Sequence, residues 1–348
     1  VTDAAPRFGD LVTEIWEFQL REDPLLATAV GDGRYNDRLP SVSEADQQRR
    51  AAAREEFLAR LEAVDRARLS SADQINYDIL IRQLRDELTD YEFQSYLVPF
   101  TADWGFHLGL ARLPSEMPLQ TVRDYENYVA RLRALPQYVA QQIGLMRRAL
   151  EVGFTQPQVV LQGYDETIRA HVVADPPSSV FFRPFAAFPA TVPESERARL
   201  RQAGLDAVSG SVVPAYRDFL EFFTGAYLPG ARATIGASEW PNGRAYYAHL
   251  VEHYTTVPLT PAQVHQTGQE EVRRIRGEME AIIRQVNFRG DFAAFLAFLR
   301  TDPRFYARTP DELLKEASYI AKRMDGNLPS LFRTLPRLPY GVEPVPAD

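Results

Sequence analysis

A chain of 348 residues, 45% hydrophobic and 25% charged, is long enough for a substantial core and has the composition of neither a disordered nor a collagenous protein. A net charge of −8 provides no basic face for phosphate contacts, so nucleic-acid binding is set aside. The absence of cysteine excludes disulfides, thiolate-bound zinc, iron–sulfur ligation and a cysteine nucleophile, and no apolar run approaches the roughly 20 residues of a membrane span. The first residue is Val1 rather than methionine, as in a polypeptide that has lost a leader or tag, which leaves the compartment open.

Phe8, Leu11, Val12, Ile15, Trp16 and Phe18 recur at helical spacing and predict a first helix ending at Asp23-Pro24. Turn chemistry at Gly31–Asp37 precedes a charged outer helix from Ser43-Glu44 to about Asp65. Ser70 or Ser71 caps the next, with Ile75, Ile79, Leu80, Leu84, Leu88 and Tyr91 as its buried stripe. Between Tyr96 and Leu119 the period disappears among prolines and glycines, predicting an ordered loop anchored by aromatic residues. Thr121 and Pro136 each read as a helix start, so that a hairpin of two helices runs to Gly153. A further start at Pro157 precedes the Asp175-Pro176-Pro177 break and the cluster Phe181, Phe182, Phe185 and Phe188. A subdomain edge is expected there, dividing the chain into residues 1–180 and 181–348.

From Pro193 to Thr224 the pattern is one long helix with a bend near Pro214, where a proline removes a hydrogen bond and crowds the preceding turn. A short strand around Ala233 to Ala237 interrupts an otherwise helical reading. Thr260, Pro261 and Gln263 open a long helix in which Val264, Gly268, Val272, Ile275, Met279, Ile282 and Val286 form one packed stripe. A helix over Phe292–Arg300 follows, then a second capping box at Thr309, Pro310 and Glu312 leads a helix to about Met324. The fold class is therefore all-α, an irregular array of many helices without a fixed repeat.

One local pattern carries a catalytic mechanism. His249-Leu-Val-Glu252-His253 matches H-x-x-E-H, in which two histidines one turn apart share a metal and the glutamate acts as general base. A third ligand has to come from far along the chain, Glu312 or Glu316 for example. Because Tyr246, Tyr247, Leu250, Val251 and Tyr254 make the other face apolar, the solvated side of an ordinary amphipathic helix accounts for His249, Glu252 and His253, and no metal ligand is assigned. His107, His171 and His265 have no partners in the sequence and read as polar groups near the surface or in loops.

Several words of the sequence occur in the order of a known family: Arg131-Leu-Arg-Ala-Leu-Pro136, Gly243-Arg-Ala-Tyr246-Tyr247, Tyr254-Thr255-Thr256, the run Gly268 to Met279, Phe295 to Pro303, and Leu335 to Pro344. Together they resemble the bacterial DUF885 family over nearly the whole chain, as the N-terminal part of its members. The resemblance implies half of a larger, all-helical, zinc-peptidase-like fold, exported or periplasmic, acting on peptides. It also implies a zinc bound through an H-E-x-x-H helix downstream of the segment resembling Leu335–Pro344. No H-E-x-x-H occurs in these residues, so no zinc ligand and no catalytic glutamate carries over, and the chain alone is expected to be inactive and without a cofactor. Tyr246 and Tyr247, in one of the matched words, are the candidates for a substrate cleft. An apolar surface around Tyr246, Tyr247 and Tyr340, where the remaining half would sit, is expected to permit self-association. The alternative is a self-sufficient helical binding or scaffold module.

Overall fold

The structure, a computed structural model, describes residues 4–345, with side chains from Arg7 onward. Among these residues it is all-α: there is no strand, only a single bridge between Phe100 and Gly105, and the strand expected near Ala233 does not form. The helices are α1 (Ala4–Glu22), α2 (Pro24–Ala29), α3 (Glu44–Glu62), α4 (Ser71–Glu92), α5 (Phe106–Ala111), α6 (Leu113–Glu116), α7 (Val122–Val152) and α8 (Asp165–Arg169). They continue with α9 (Arg183–Ala186), α10 (Glu194–Ala207), α11 (Val213–Phe222), α12 (Leu228–Gly230), α13 (Gly243–Thr255), α14 (Pro261–Gln285), α15 (Phe292–Thr301) and α16 (Pro310–Leu331). Contacts divide the chain into two units, Val1–Pro261 and Ala262–Asp348.

In the first unit, α7 is the axis. Thr121 and Asp124 close a reciprocal capping box at its start, and Gly153, at φ 75°, takes the left-handed conformation that ends it. Pro136 does not split it into two helices as its sequence suggests. Leu132, Leu135, Tyr138 and Val139 on either side of the proline are all buried, and that packing outweighs the one hydrogen bond lost. Tyr125 and Tyr128 pack on Phe185, and the Tyr128 hydroxyl donates to the Phe181 carbonyl at 2.9 Å. The largest core therefore runs across residue 180 and continues into Val208, Val212, Tyr216, Phe219 and Phe223. The chain passes from α10 into α11 through a π-helical turn at Val208–Val212, so the irregularity expected at Pro214 lies immediately before it.

A second cluster joins Phe8, Leu11, Ile15 and Phe18 of α1 to Phe57 and Leu61 of α3 and Leu84 of α4. Ile75 and Ile79, expected in that core, lie on the solvent side of α4 because only one side of the helix meets α3. The segment 24–38 is held by a buried cation. Arg131 on α7, fully buried, donates to the carbonyls of Arg38 (2.9 Å), Pro24 (2.8 Å) and Tyr35 (3.2 Å) and to the Thr28 hydroxyl (2.6 Å). Burial pulls its pKa down to about 10, with Asp37, Asp23 and Glu116 opposing.

His107 also departs from its sequence reading. It sits in the core between Phe106, Tyr164 and Phe219, at 1% exposure, instead of near the surface. The loop that carries it folds into α5 and α6, which the loss of period had concealed.

The second unit holds α15, α16 and all of α14 after Pro261. Its helices begin where the sequence placed them: α14 starts at Pro261, and Thr309 caps α16 by accepting the Glu312 amide. The rings of Phe288, Phe295, Phe298 and Phe305 cluster, and Arg276 lies 3.5 Å over the Phe292 ring. The packed stripe expected along α14 is not packed: Val272, Ile275, Ile282 and Val286 are exposed, and Ile283, one residue off the stripe, is the buried one.

Candidate functional site

Helix α13 carries both cleft candidates, Tyr246 and Tyr247, and the whole of the H-x-x-E-H pattern. It starts abruptly. Asn242 is left-handed at φ 53°, and a Cβ on Gly243 would collide with the Ala237 carbonyl, so only glycine allows the chain to approach so closely there. It stops at Thr256, also left-handed at φ 62°, two residues before Pro258. Three sets of contacts hold it.

The first is aromatic. Tyr246 is buried among Phe93, Phe154 and Trp240, with ring centroids at 5.1, 5.9 and 6.0 Å, and burial pushes its phenol up to about 12. The second is a borrowed cap. Arg82 of α4 donates to the carbonyls of Glu252 (2.8 Å), His253 (3.2 Å) and Thr256 (3.2 Å), so a cation meets the negative end of the α13 dipole.

The third is a ladder of two histidines facing two aspartates. Asp86 and Asp90 lie one turn apart on α4, as His249 and His253 do on α13, and the four meet in pairs: His253 Nδ1 with Asp86 Oδ2 at 3.0 Å, His249 Nε2 with Asp90 Oδ1 at 3.5 Å. The second pair falls short of a hydrogen bond, and both its atoms are buried without another partner. Burial raises the pKa of Asp90, against the pull of His249 and His253. The reading of this face as a solvated stripe is thereby corrected for His249, whose side chain is 14% exposed and turned onto α4, whereas that of His253 is 38% exposed and Glu252 and Tyr254 face solvent. The signal that sequence reasoning missed was the matching i,i+4 spacing of Asp86 and Asp90, more than 150 residues upstream.

Each histidine faces an aspartate of α4, and among the described residues no three of His, Cys, Asp and Glu gather in a group able to hold a metal ion. Glu312 is engaged in capping α16 through the Arg308 amide at 2.6 Å. What the ladder does is dock one helix on another.

The two candidate cleft residues part company. Tyr246 is a structural anchor, whereas Tyr247, next in sequence, is half exposed. Tyr340 is exposed as well. A separate cleft of about 500 Å³ in the first unit is lined by Glu22, Arg50, Arg54, Glu87, Trp104 and Tyr138, among others; its arginines are spoken for, Arg50 by the Ser41 carbonyl and Arg54 by Glu87. No helix among the described residues is long and apolar enough to cross a membrane.

The sequence model of a family described as "Bacterial protein of unknown function (DUF885)" matches residues 24–348. Among solved structures, the chain is similar to a candidate lipoprotein from Colwellia psychrerythraea, with a TM-score of 0.90 at 19% identity. That likeness covers 100% of this chain and 63% of the other, so the chain spans less than two thirds of the length of its structural relative. At this identity it shows a shared fold and nothing more. No curated protein matches the chain.

Proposed function

The chain belongs to the DUF885 family of bacterial proteins, whose function is unknown, and from that premise we propose that these residues form the helical portion of a zinc-dependent metallopeptidase, a hydrolase acting on peptides outside the cytoplasm. The observation that carries the reading is the contrast within one matched word, Tyr246-Tyr247. The first tyrosine fixes α13 in an aromatic box, and the second stands on that fixed helix toward solvent. A side chain held on a rigid element is what a binding wall requires, since the rotamer and helix entropy are already spent before a peptide arrives. In this reading Tyr247 contacts the peptide, Tyr246, Arg82 and the His–Asp ladder position it, and the zinc ligands lie outside these 348 residues. The family words of the sequence support it. Placement outside the cytoplasm rests on the same resemblance and on a structural relative that is itself a candidate lipoprotein.

The test is peptide hydrolysis by the protein translated from the complete reading frame, with and without a metal chelator, beside the 348-residue chain alone. We expect chelator-sensitive cleavage by the former and none by the latter. Tyr247→Ala should raise KM several-fold with little change in kcat, the pattern of lost uniform binding. A complete protein that cleaves no peptide would sink the reading in favour of a self-sufficient helical binding module.

A further inference from the structure

Asn242 and Gly243 form the one Asn-Gly sequence in the chain; the other five asparagines precede Asp37, Tyr77, Tyr128, Phe288 and Leu328. Such a pair is chemically labile for a steric reason. The backbone nitrogen of the following residue can attack the carboxamide carbon of asparagine, and glycine puts no side chain in the way. The new N–Cγ bond closes a succinimide ring, the Cγ–Nδ2 bond breaks, and the proton of the attacking nitrogen leaves with the amide as ammonia. Water then opens either carbonyl of the ring. One opening gives aspartate; the other gives isoaspartate, whose main chain runs through Cβ and is one atom longer.

The fold holds this bond where the attack cannot start. Asn242 stands at φ 53°, ψ 21°, a left-handed conformation that asparagine tolerates. That ψ leaves the Gly243 nitrogen nearly eclipsed with the backbone nitrogen of Asn242 and therefore turned away from Cβ, which carries the carboxamide. The nitrogen is also engaged, since its N–H donates to the Trp240 carbonyl at 2.8 Å. Ring closure requires a large rotation of ψ, and Gly243 has no freedom to follow it, closed as it is against the Ala237 carbonyl and Trp240. Behind it, α13 is tied down by the aromatic box around Tyr246 and by the Arg82 cap. Asn242 itself is exposed, so water reaches any ring that forms.

We propose that Asn242–Gly243 is a site of spontaneous deamidation which docked α13 suppresses, which reacts when the start of α13 opens, and whose isoaspartate product then bars the helix from returning. The last step follows from space: where even a Cβ on Gly243 would strike the Ala237 carbonyl, a longer main chain cannot be laid. The reaction thus turns a reversible opening into a permanent one and releases the helix that carries Tyr247. It does not depend on any peptidase activity.

The 348-residue chain, aged at mildly alkaline pH with and without urea and then mapped by peptide mass, tests this. Residue 242 should gain about one mass unit at least roughly tenfold faster in urea than in the folded protein, because reaction in the fold follows the population of the open form. Arg82→Met, which removes the donors to the Glu252, His253 and Thr256 carbonyls, should speed the folded reaction several-fold while the amides of α7 stay protected from exchange. Protein deamidated in urea and refolded should exchange its α13 amides freely, whereas Asn242→Asp, with the same charge on a normal backbone, should protect them as the unmodified chain does. Equal rates with and without urea overturn the proposal. So does a rate indifferent to Arg82→Met, or an isoaspartate form whose α13 is as protected as before.

Discussion

The two units obey the same local rules and reach different ends. In Val1–Pro261, the apolar faces of α1, α3, α4, α7, α10 and α11 close on one another, and Phe100, Phe181, Phe185, Phe219 and Phe223 are withdrawn from water entirely. In Ala262–Asp348, α14 and α16 are as well marked by apolar spacing and, for α16, by its cap, yet Val272, Ile282, Leu313, Ile320 and Leu331 stay exposed. Capping and periodicity therefore specify that a segment is helical and which face is apolar. They do not supply the second surface that makes burial worth roughly 25 cal/mol per Å².

The largest effect of that contrast is expected in the first unit's core. Phe219→Ala, which empties a site bounded by Phe106, His107 and Phe223, should cost about 3–5 kcal/mol in urea unfolding. The loss should fall on the transition of the first unit, since the second shares none of those contacts.

Acid should act next. The Thr167 hydroxyl donates to the Tyr164 carbonyl at 2.6 Å, so it is His107 Nε2–H that donates to Thr167 at 2.9 Å, and Nδ1 is a bare buried acceptor. Burial, with a smaller push from His171, lowers the folded pKa to about 4, below the unfolded value near 6.5. The unfolded chain therefore binds the proton first. The contribution of the neutral imidazole is whole above pH 6.5 and is lost as the pH falls through about 4, on the order of 3 kcal/mol in total. Unfolding followed from pH 7.5 to 4.5 should show this slope, and His107→Leu should flatten it.

The smallest effect is expected on α16. Leu313→Ala, a change of the kind that costs several kcal/mol in a core, should shift stability by no more than about 0.5 kcal/mol because Leu313 is already in water. A loss as large as that of Phe219→Ala would mean that the second unit is packed after all.

Much of the first unit was legible in advance. The caps at Ser43, Ser70 and Thr121, the stop at Gly153 and the aromatic cluster from Phe181 to Phe185 all lie where local chemistry put them. The failures share a cause. Pro136 was read as a break because its missing N–H is a local fact, whereas the core that overrides it is gathered from residues as distant as Phe223. His107 was read as a surface group because its neighbours Tyr164 and Phe219 lie 57 and more positions away in the sequence. The site on α13 failed in the same manner: the i,i+4 pair His249 and His253 was visible, but its counterpart Asp86 and Asp90 could be matched to it only once α4 and α13 were side by side.

By itself, then, the sequence determined that this protein is all-α, where most of its long helices start and stop, and which face of each is apolar, because these depend on hydrogen bonds and spacing within a few residues. Tertiary structure alone decided which apolar faces found a partner, that Tyr246 anchors while Tyr247 stands free, and that His249 and His253 dock a helix on two aspartates. Burial and charge pairing are properties of two surfaces, and one chain segment read alone contains only one of them.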